Sequence, residues 1–257
     1  MTKITLDVHR FPCLNDNYGY LVHEHYSGQT AAIDTPDADK YLAEAKRMGW
    51  HITHIFNTHW HPDHAGGNLK IKDATDCTIY GPAGEAEKIP GIDVKLAEGD
   101  EVEFGRATAR VLDVPGHTLG HIAYHFAEQE TAFVGDALFA LGCGRVFEGT
   151  MEMMWNSLSK LKALPPETLI YCAHEYTQAN ARFAETIETG NAKLTDYVKE
   201  IDDRRARGLP TVPTRLNLEL ATNPFLRADV PELQAAMGHP GDAVATFAEI
   251  RGRKDRF

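Results

Sequence analysis

The sequence predicts an α+β protein in two parts, a strand-rich region over 1–174 and a helical region over 175–257. Three observations support this. Short apolar runs punctuated by Gly, Asp and Pro fill the first two thirds, the spacing turns helical beyond residue 174, and His and Asp recur where apolar runs open into loops.

Taken in order, ITLDV (4–8), YGYLV (18–22) and AAID (31–34) read as strands. Residues 38–48 have helical spacing closed by Gly49. HIFNT (54–58), CTIYG (77–81), EVEF (101–104), ATARVLDV (107–114), IAYHF (122–126) and TAFVG (131–135) are further strand signals. A second helix over 151–163 is stopped by Pro165 and Pro166, and LIYCA (169–173) is the last strand run. Helical spacing then covers 178–188, 191–207, 230–237 and 243–250, with Thr177 as an expected N-cap and Gly208 as an expected C′ residue. No internal repeat, low-complexity stretch or long linker separates the two parts.

A chain of 257 residues builds a core without disulfides, and Cys13, Cys77, Cys143 and Cys172 are too scattered for a thiolate metal site. The N-terminal segment has no apolar signal region and no run approaches a membrane span, so a cytoplasmic location is expected. A net charge of -11 opposes general affinity for nucleic acid or anionic membranes, leaving a small molecule as the expected partner of a monomer. The cationic ending RGRKDRF reads, taken alone, as a solvated tail.

The chemistry concentrates in Thr58-His59-Trp60-His61-Pro62-Asp63-His64, directly after an apolar run. In extended chain His59 and His61 point to one side and can share a metal, and the turn at Pro62 aims Asp63 and His64 elsewhere, a split that favours two adjacent ions. His117 after Val-Pro-Gly, Asp136 after Phe-Val-Gly and His174 after Tyr-Cys-Ala are ligand types at comparable strand ends.

His59-x-His61-x-Asp63-His64 followed by His117, Asp136 and His174 is similar to the ligand pattern of the metallo-β-lactamase superfamily. The resemblance implies a four-layer αββα sandwich of two mixed sheets. It implies that His59, His61 and His117 hold one divalent ion and Asp63, His64 and His174 a second, with Asp136 bridging. Asp63 and Asp136 are then also the candidate catalytic carboxylates, and a metal-bridging hydroxide is the nucleophile. Zinc is the first expectation for the pair, with iron or manganese compatible with the same ligands. His121, four residues after His117, is an alternative ligand that the family pattern does not use. His9, His23, His25, His51, His54, His125 and His239 lack ligand spacing, and Cys143 reads as a packing residue.

LNDNYGYLV, GCGRVFEGT (142–150), HEYT (174–177), TNPFLR (222–227) and the R-x-x-K-D-x-F ending narrow the resemblance to the glyoxalase II family. The activity it implies is hydrolysis of the thioester S-D-lactoylglutathione to glutathione and D-lactate in methylglyoxal degradation. The glutathione-binding positions fall on Arg145, Tyr176, Arg251 and Lys254, whose cations suit a ligand with two carboxylates. Phe147 stands where some members carry a Tyr, so one hydroxyl contact to the peptide is missing. The competing readings are a persulfide dioxygenase or another thioester or lactone hydrolase of the superfamily. Against the dioxygenase stand Asp63 and His174 as second-site ligands and the basic pair in the helical ending.

Overall fold

Strand β1 (Leu6–Cys13) carries the first apolar run into an antiparallel pair with β2 (Asn17–Glu24), in register from Leu6↔Glu24 to Cys13↔Asn17. The computed structural model describes residues 4–257, which divide into two compact units: 4–113 with 118–135, and 114–117 with 136–257.

In the first unit β2 pairs antiparallel with β3 (Gln29–Ile33), and β4 (His54–Phe56), β5 (Thr78–Pro82) and β6 (Val94–Leu96) continue the sheet in parallel. Helix α1 (Ala38–Met48) makes the crossover from β3 to β4. Asp37 caps it through Lys40 N, and Gly49 ends it at φ 72°. The helix buries Ala38, Tyr41 and Ala45 in a cluster with Leu21, Ile55 and Ile79 of the sheet. The short α2 (Pro62–Ala65) and α3 (Asn68–Thr75) lead from β4 to β5, and α3 adds Ile71 to the same core. The missing helical spacing across 62–75 follows from their brevity.

A second, antiparallel array runs β7 (Glu101–Phe104), β8 (Ala107–Asp113), β9 (Ile122–Phe126) and β10 (Thr131–Gly135) in sequence order. Aromatic rings join it to the first sheet: Phe56 lies 5.8 Å from Phe104 and 5.1 Å from Tyr124, and Tyr20 lies 5.7 Å from Phe133. Large rings at such separations fill the roughly 10 Å between facing sheets. The loops after β3 and β4 leave this core at the carboxyl ends of parallel strands, where α/β sheets place ligands.

The second unit opens with a hairpin of β11 (Leu138–Phe139) and β12 (Gly142–Cys143). Helix α4 (Met151–Lys162) starts at Thr150, whose hydroxyl accepts from Met153 N. Strand β13 (Leu169–Cys172) pairs antiparallel with β14 (Thr214–Arg215). Between them lie α5 (Thr177–Ile187) and α6 (Ala192–Ala206), packed around Ala181, Ala184, Leu194, Tyr197 and Ile201. After them come α7 (Leu216–Thr222), α8 (Pro231–Met237) and α9 (Ala243–Asp255). Residues 136–174 thus belong to the same unit as the helical segment.

Two expectations change. Thr177 is not an N-cap: Tyr176 occupies that position without a side-chain cap bond, and the Thr177 hydroxyl accepts from Thr211 Oγ1 at 2.6 Å. Nor does α9 stop at residue 250. It runs to Asp255 because Phe247, Ile250 and Arg251 form one buried stripe whose last member carries a charge, which hides the period from hydropathy. Gly208 does end α6, at φ 68°, with its N–H on Arg205 O and that of Leu209 on Arg204 O. Among the described residues no helix is long and apolar enough to cross a membrane.

Candidate metal centre and substrate cavity

The seven expected ligands are five imidazoles and two carboxylates, and each offers an atom to an ion. Four of them lie on the loop after β4 in the first unit. Asp34, at the end of β3, organises that loop: its Oδ1 accepts from Thr58 N at 2.8 Å, and its Oδ2 accepts from Thr58 Oγ1 at 2.9 Å and from His64 Nδ1 at 2.9 Å. The Thr58 hydroxyl has one proton and donates it to Asp34. It therefore accepts from His59 Nδ1, 3.0 Å away. Both His59 and His64 thereby carry their proton on Nδ1, and Nε2 keeps its lone pair for an ion.

His59 Nε2 and His61 Nδ1 converge to 3.0 Å, and His64 Nε2 lies 3.5 Å from Asp63 Oδ2. Asn17 Nδ2 donates to the same Asp63 oxygen at 3.2 Å. Glu85 anchors the loop from its other side, accepting from Trp60 N at 3.0 Å and from Gly120 N at 2.8 Å. His121 is buried with its ring stacked 4.6 Å from that of His59.

In the second unit one carboxylate lies between two imidazoles. Asp136 Oδ2 is 3.4 Å from His117 Nε2, and its Oδ1 is 3.4 Å from His174 Nε2. His117 Nδ1 donates to Arg145 O at 2.9 Å, which again puts the ring proton on Nδ1 and the lone pair on Nε2. Separations near 3.4 Å are long for hydrogen bonds to a carboxylate. They match the ~3.4 Å edge of a tetrahedron of ligands about 2.1 Å from a central ion. The donor sets of both units therefore fit divalent metal.

A cavity of about 460 Å³ in the second unit is lined by His117 and Asp136 and by all five residues expected to bind substrate, Arg145, Phe147, Tyr176, Arg251 and Lys254. The Tyr176 ring stacks on His174 at 4.7 Å, and Phe147 stands largely exposed with its ring 5.2 Å from that of His117. The two basic residues of α9 differ. Arg251 is 3% exposed and already engaged, donating from Nη1 to Cys143 O at 3.0 Å and from Nη2 to Asp255 Oδ1 at 3.0 Å. Lys254 is half-buried beside Phe183 and Phe257, with Nζ donating to Ala179 O at 3.1 Å. Burial, and then the guanidiniums of Arg251, Arg182 and Arg145, pull the Lys254 ammonium down to about 8. An anion entering the cavity would relieve that repulsion. The solvated-tail reading of RGRKDRF therefore fails for Arg251 and Lys254. The Cys143 thiol is pushed up to about 11 by burial, against the pull of Arg251, so it is a thiol without nucleophilic character near neutral pH.

Asp34, Glu85, Asn180 and Glu219 shape these sites and carry no sequence signal of their own, whereas Asn223 falls within the TNPFLR segment. For all five, only folding reveals what each bonds.

The comparisons with known proteins agree with this geometry. A family model described as the metallo-beta-lactamase superfamily matches residues 25–174, and one described as hydroxyacylglutathione hydrolase C-terminus matches 175–257. A hydroxyacylglutathione hydrolase of Hyphomonas neptunium is 70% identical over 99% of this chain and 100% of its own length. One of Erythrobacter litoralis is 60% identical over 98% and 100%. Among solved structures, ETHE1 from Myxococcus xanthus superposes with a TM-score of 0.70 at 25% identity, over 96% of this chain and 90% of that one. A protein solved in a di-iron-bound form superposes with a TM-score of 0.63 at 26% identity, over 85% and 99%. The chain thus has the metallo-β-lactamase fold, followed by a helical C-terminal domain, and is by class a metal-dependent thioester hydrolase. Within that class it belongs to the hydroxyacylglutathione hydrolase, or glyoxalase II, family.

Proposed function

We propose that the chain hydrolyses S-D-lactoylglutathione to glutathione and D-lactate, with residues 1–174 as the catalytic region and 175–257 as the region that completes the carrier site. The observation that carries this is the cavity that has His117 and Asp136 among its lining and three cationic side chains elsewhere in it. His59, His61 and His117 would hold one ion and Asp63, His64 and His174 the other, with Asp136 available to both. Zinc is the first choice, and the di-iron form of a structural relative keeps iron open to the same ligand types. The chemistry that such ions supply when bound is the acidification of water and polarisation of the thioester carbonyl.

The protein's own residues do the rest. Asp34 and Thr58 hold the ring protons of His64 and His59 on Nδ1, and the Arg145 carbonyl does so for His117. Arg145 and Lys254 bind glutathione carboxylates, and Tyr176 and Phe147 flank the peptide. Arg251 contributes by fixing the Cys143 carbonyl through Nη1 and by its field, with Nη2 on Asp255. The test compares substrates: kcat/KM for S-D-lactoylglutathione should exceed that for a homoserine lactone or a β-lactam. The reverse order would remove the assignment.

A further inference from the structure

The hairpin β11–β12 is too short to stand alone. It has two paired positions, Leu138↔Cys143 and Phe139↔Gly142, and isolated hairpins of much greater length are marginal in water. At its turn Leu141 adopts φ 55°, a left-handed conformation that a branched side chain disfavours. Residues 137–142 are nevertheless buried, so the backbone polar groups of the turn require partners within the protein.

Side chains from the helical segment supply them. Leu141 N donates to Glu219 Oε2 at 2.7 Å, and Ala140 O accepts from Asn180 Nδ2 at 3.1 Å. Phe139 O and Gly142 O both accept from Asn223 Nδ2 at 3.1 Å. The Asn223 amide is itself oriented, because its Oδ1 accepts from Phe225 N at 3.0 Å and its Nδ2 donates to Glu219 Oε2 at 3.0 Å. Glu219 is held in turn by the Thr214 hydroxyl at 2.7 Å. A Cβ at Gly142 would collide with Asn180 Nδ2, so a side chain there would displace the amide that holds Ala140 O.

The hairpin is also part of the cavity. Phe139, Cys143, Gly144 and Arg145 line it, the Phe139 ring lies edge-on to Tyr176 at 5.4 Å, and Arg145 O fixes the His117 ring. We infer that Asn180, Glu219 and Asn223 are positioning residues that hold this hairpin in register, and through it place Arg145 for the carrier portion of the substrate. The inference rests on the reading of the cavity as a glutathione site.

A residue that merely stabilises the fold and one that places Arg145 give different kinetics. Four proteins (parent, Arg145→Ala, Asn223→Ala and the double variant) are assayed on S-D-lactoylglutathione and on the D-lactoyl thioester of a short neutral thiol. Metal content and melting temperature are recorded alongside. Loss of the hairpin clamp is expected to raise KM for the glutathione thioester roughly 10-fold and to leave KM for the neutral thioester nearly unchanged, while any fall in kcat through the Arg145 O–His117 bond is the same on both substrates. In the Arg145→Ala background the same change should raise KM by less than about a further 2-fold, because the side chain it places is already gone. Equal rises in KM on both substrates, or a full KM effect in the Arg145→Ala background, would overturn the inference. Arg145→Ala with parental KM would instead overturn the carrier reading itself.

Should Asn223→Ala not fold, Glu219 provides the second route. Glu219→Gln keeps an acceptor for Leu141 N and should retain near-parental KM, whereas Glu219→Ala should raise KM and speed amide exchange at Leu141. Parental KM and exchange in Glu219→Ala would count against the inference.

Discussion

The loop after β4 and the hairpin β11–β12 face the same physical problem and meet it at different range. Both bury irregular backbone next to reactive or binding side chains, and both satisfy it with side-chain amides and carboxylates. For the loop the partners are near in sequence: Asp34 reaches Thr58 across 24 positions, Glu85 reaches Trp60 across 25, and Asn57 reaches the His64 carbonyl across 7. For the hairpin they are remote: Asn180 reaches Ala140 across 40, Glu219 reaches Leu141 across 78, and Arg251 reaches Cys143 across 108. The ligand loop is thus set by neighbouring strand ends within one unit. The cavity-lining hairpin depends on a helical segment late in the chain. Damage to the first should appear in metal binding and turnover, and damage to the second in substrate affinity.

The sharpest way to break this division is to remove the shared ligand. Asp136→Ala should abolish turnover on glutathione and neutral thioesters alike, with a larger loss than His61→Ala, if Asp136 is shared by both ions as proposed. A His61→Ala protein less active than Asp136→Ala would contradict the shared role.

The loop's own clamp should act on metal and not on substrate. Asp34→Asn weakens the hold on His64 and, through Thr58, on His59. Metal affinity, measured by competition with a chelator, should fall about 10-fold to 100-fold, with KM of the fully loaded protein near parental. An unchanged affinity would mean that the ring orientation is fixed without Asp34.

On the cavity side the expected change is in KM. Lys254→Ala should raise KM about 10-fold with little change in kcat, the cost of one partly screened charged hydrogen bond. The pH dependence sharpens this. With its ammonium pulled down to about 8, Lys254 loses its charge as pH rises through that value, so KM of the parent should climb above pH 8 and KM of Lys254→Ala should not. A bound carboxylate shifts the inflection upward, so kcat/KM reports the free-enzyme value.

The last effect concerns stability and leaves turnover aside. Burial pushes the Glu219 carboxyl up to about 6, opposed by its hydrogen bonds from Thr214, Leu141, Asn223 and Tyr197. The folded state therefore binds the proton more readily than the unfolded chain. This group's contribution is least favourable at neutral pH and improves as pH falls through 6 towards 4.5, by about 2 kcal/mol in all. Denaturant titrations of parent and Glu219→Gln should diverge in pH dependence only across that window. Parallel curves would remove the buried charge from the account.

Much of this was legible in the sequence because local patterns encode it. The runs at 101–104, 122–126 and 131–135 became strands with those bounds, since short apolar or alternating runs are bounded there by turn residues. His59, His61, Asp63 and His64 stand out because three imidazoles and a carboxylate fall within six residues. Asp34 and Glu85 did not, since one carboxylate after a strand resembles any other. The hairpin was less visible still, being two residues per strand with partners at 180, 219, 223 and 251. Arg251 was readable as cationic but not as buried, because its packing depends on Cys143.

We propose that two divalent ions per chain support thioester hydrolysis on a glutathione carrier. Titrating metal into the stripped protein while following kcat for S-D-lactoylglutathione tests it most directly. Activity should rise to a plateau at close to two ions per chain. Full activity at a saturating stoichiometry of one ion per chain would contradict it.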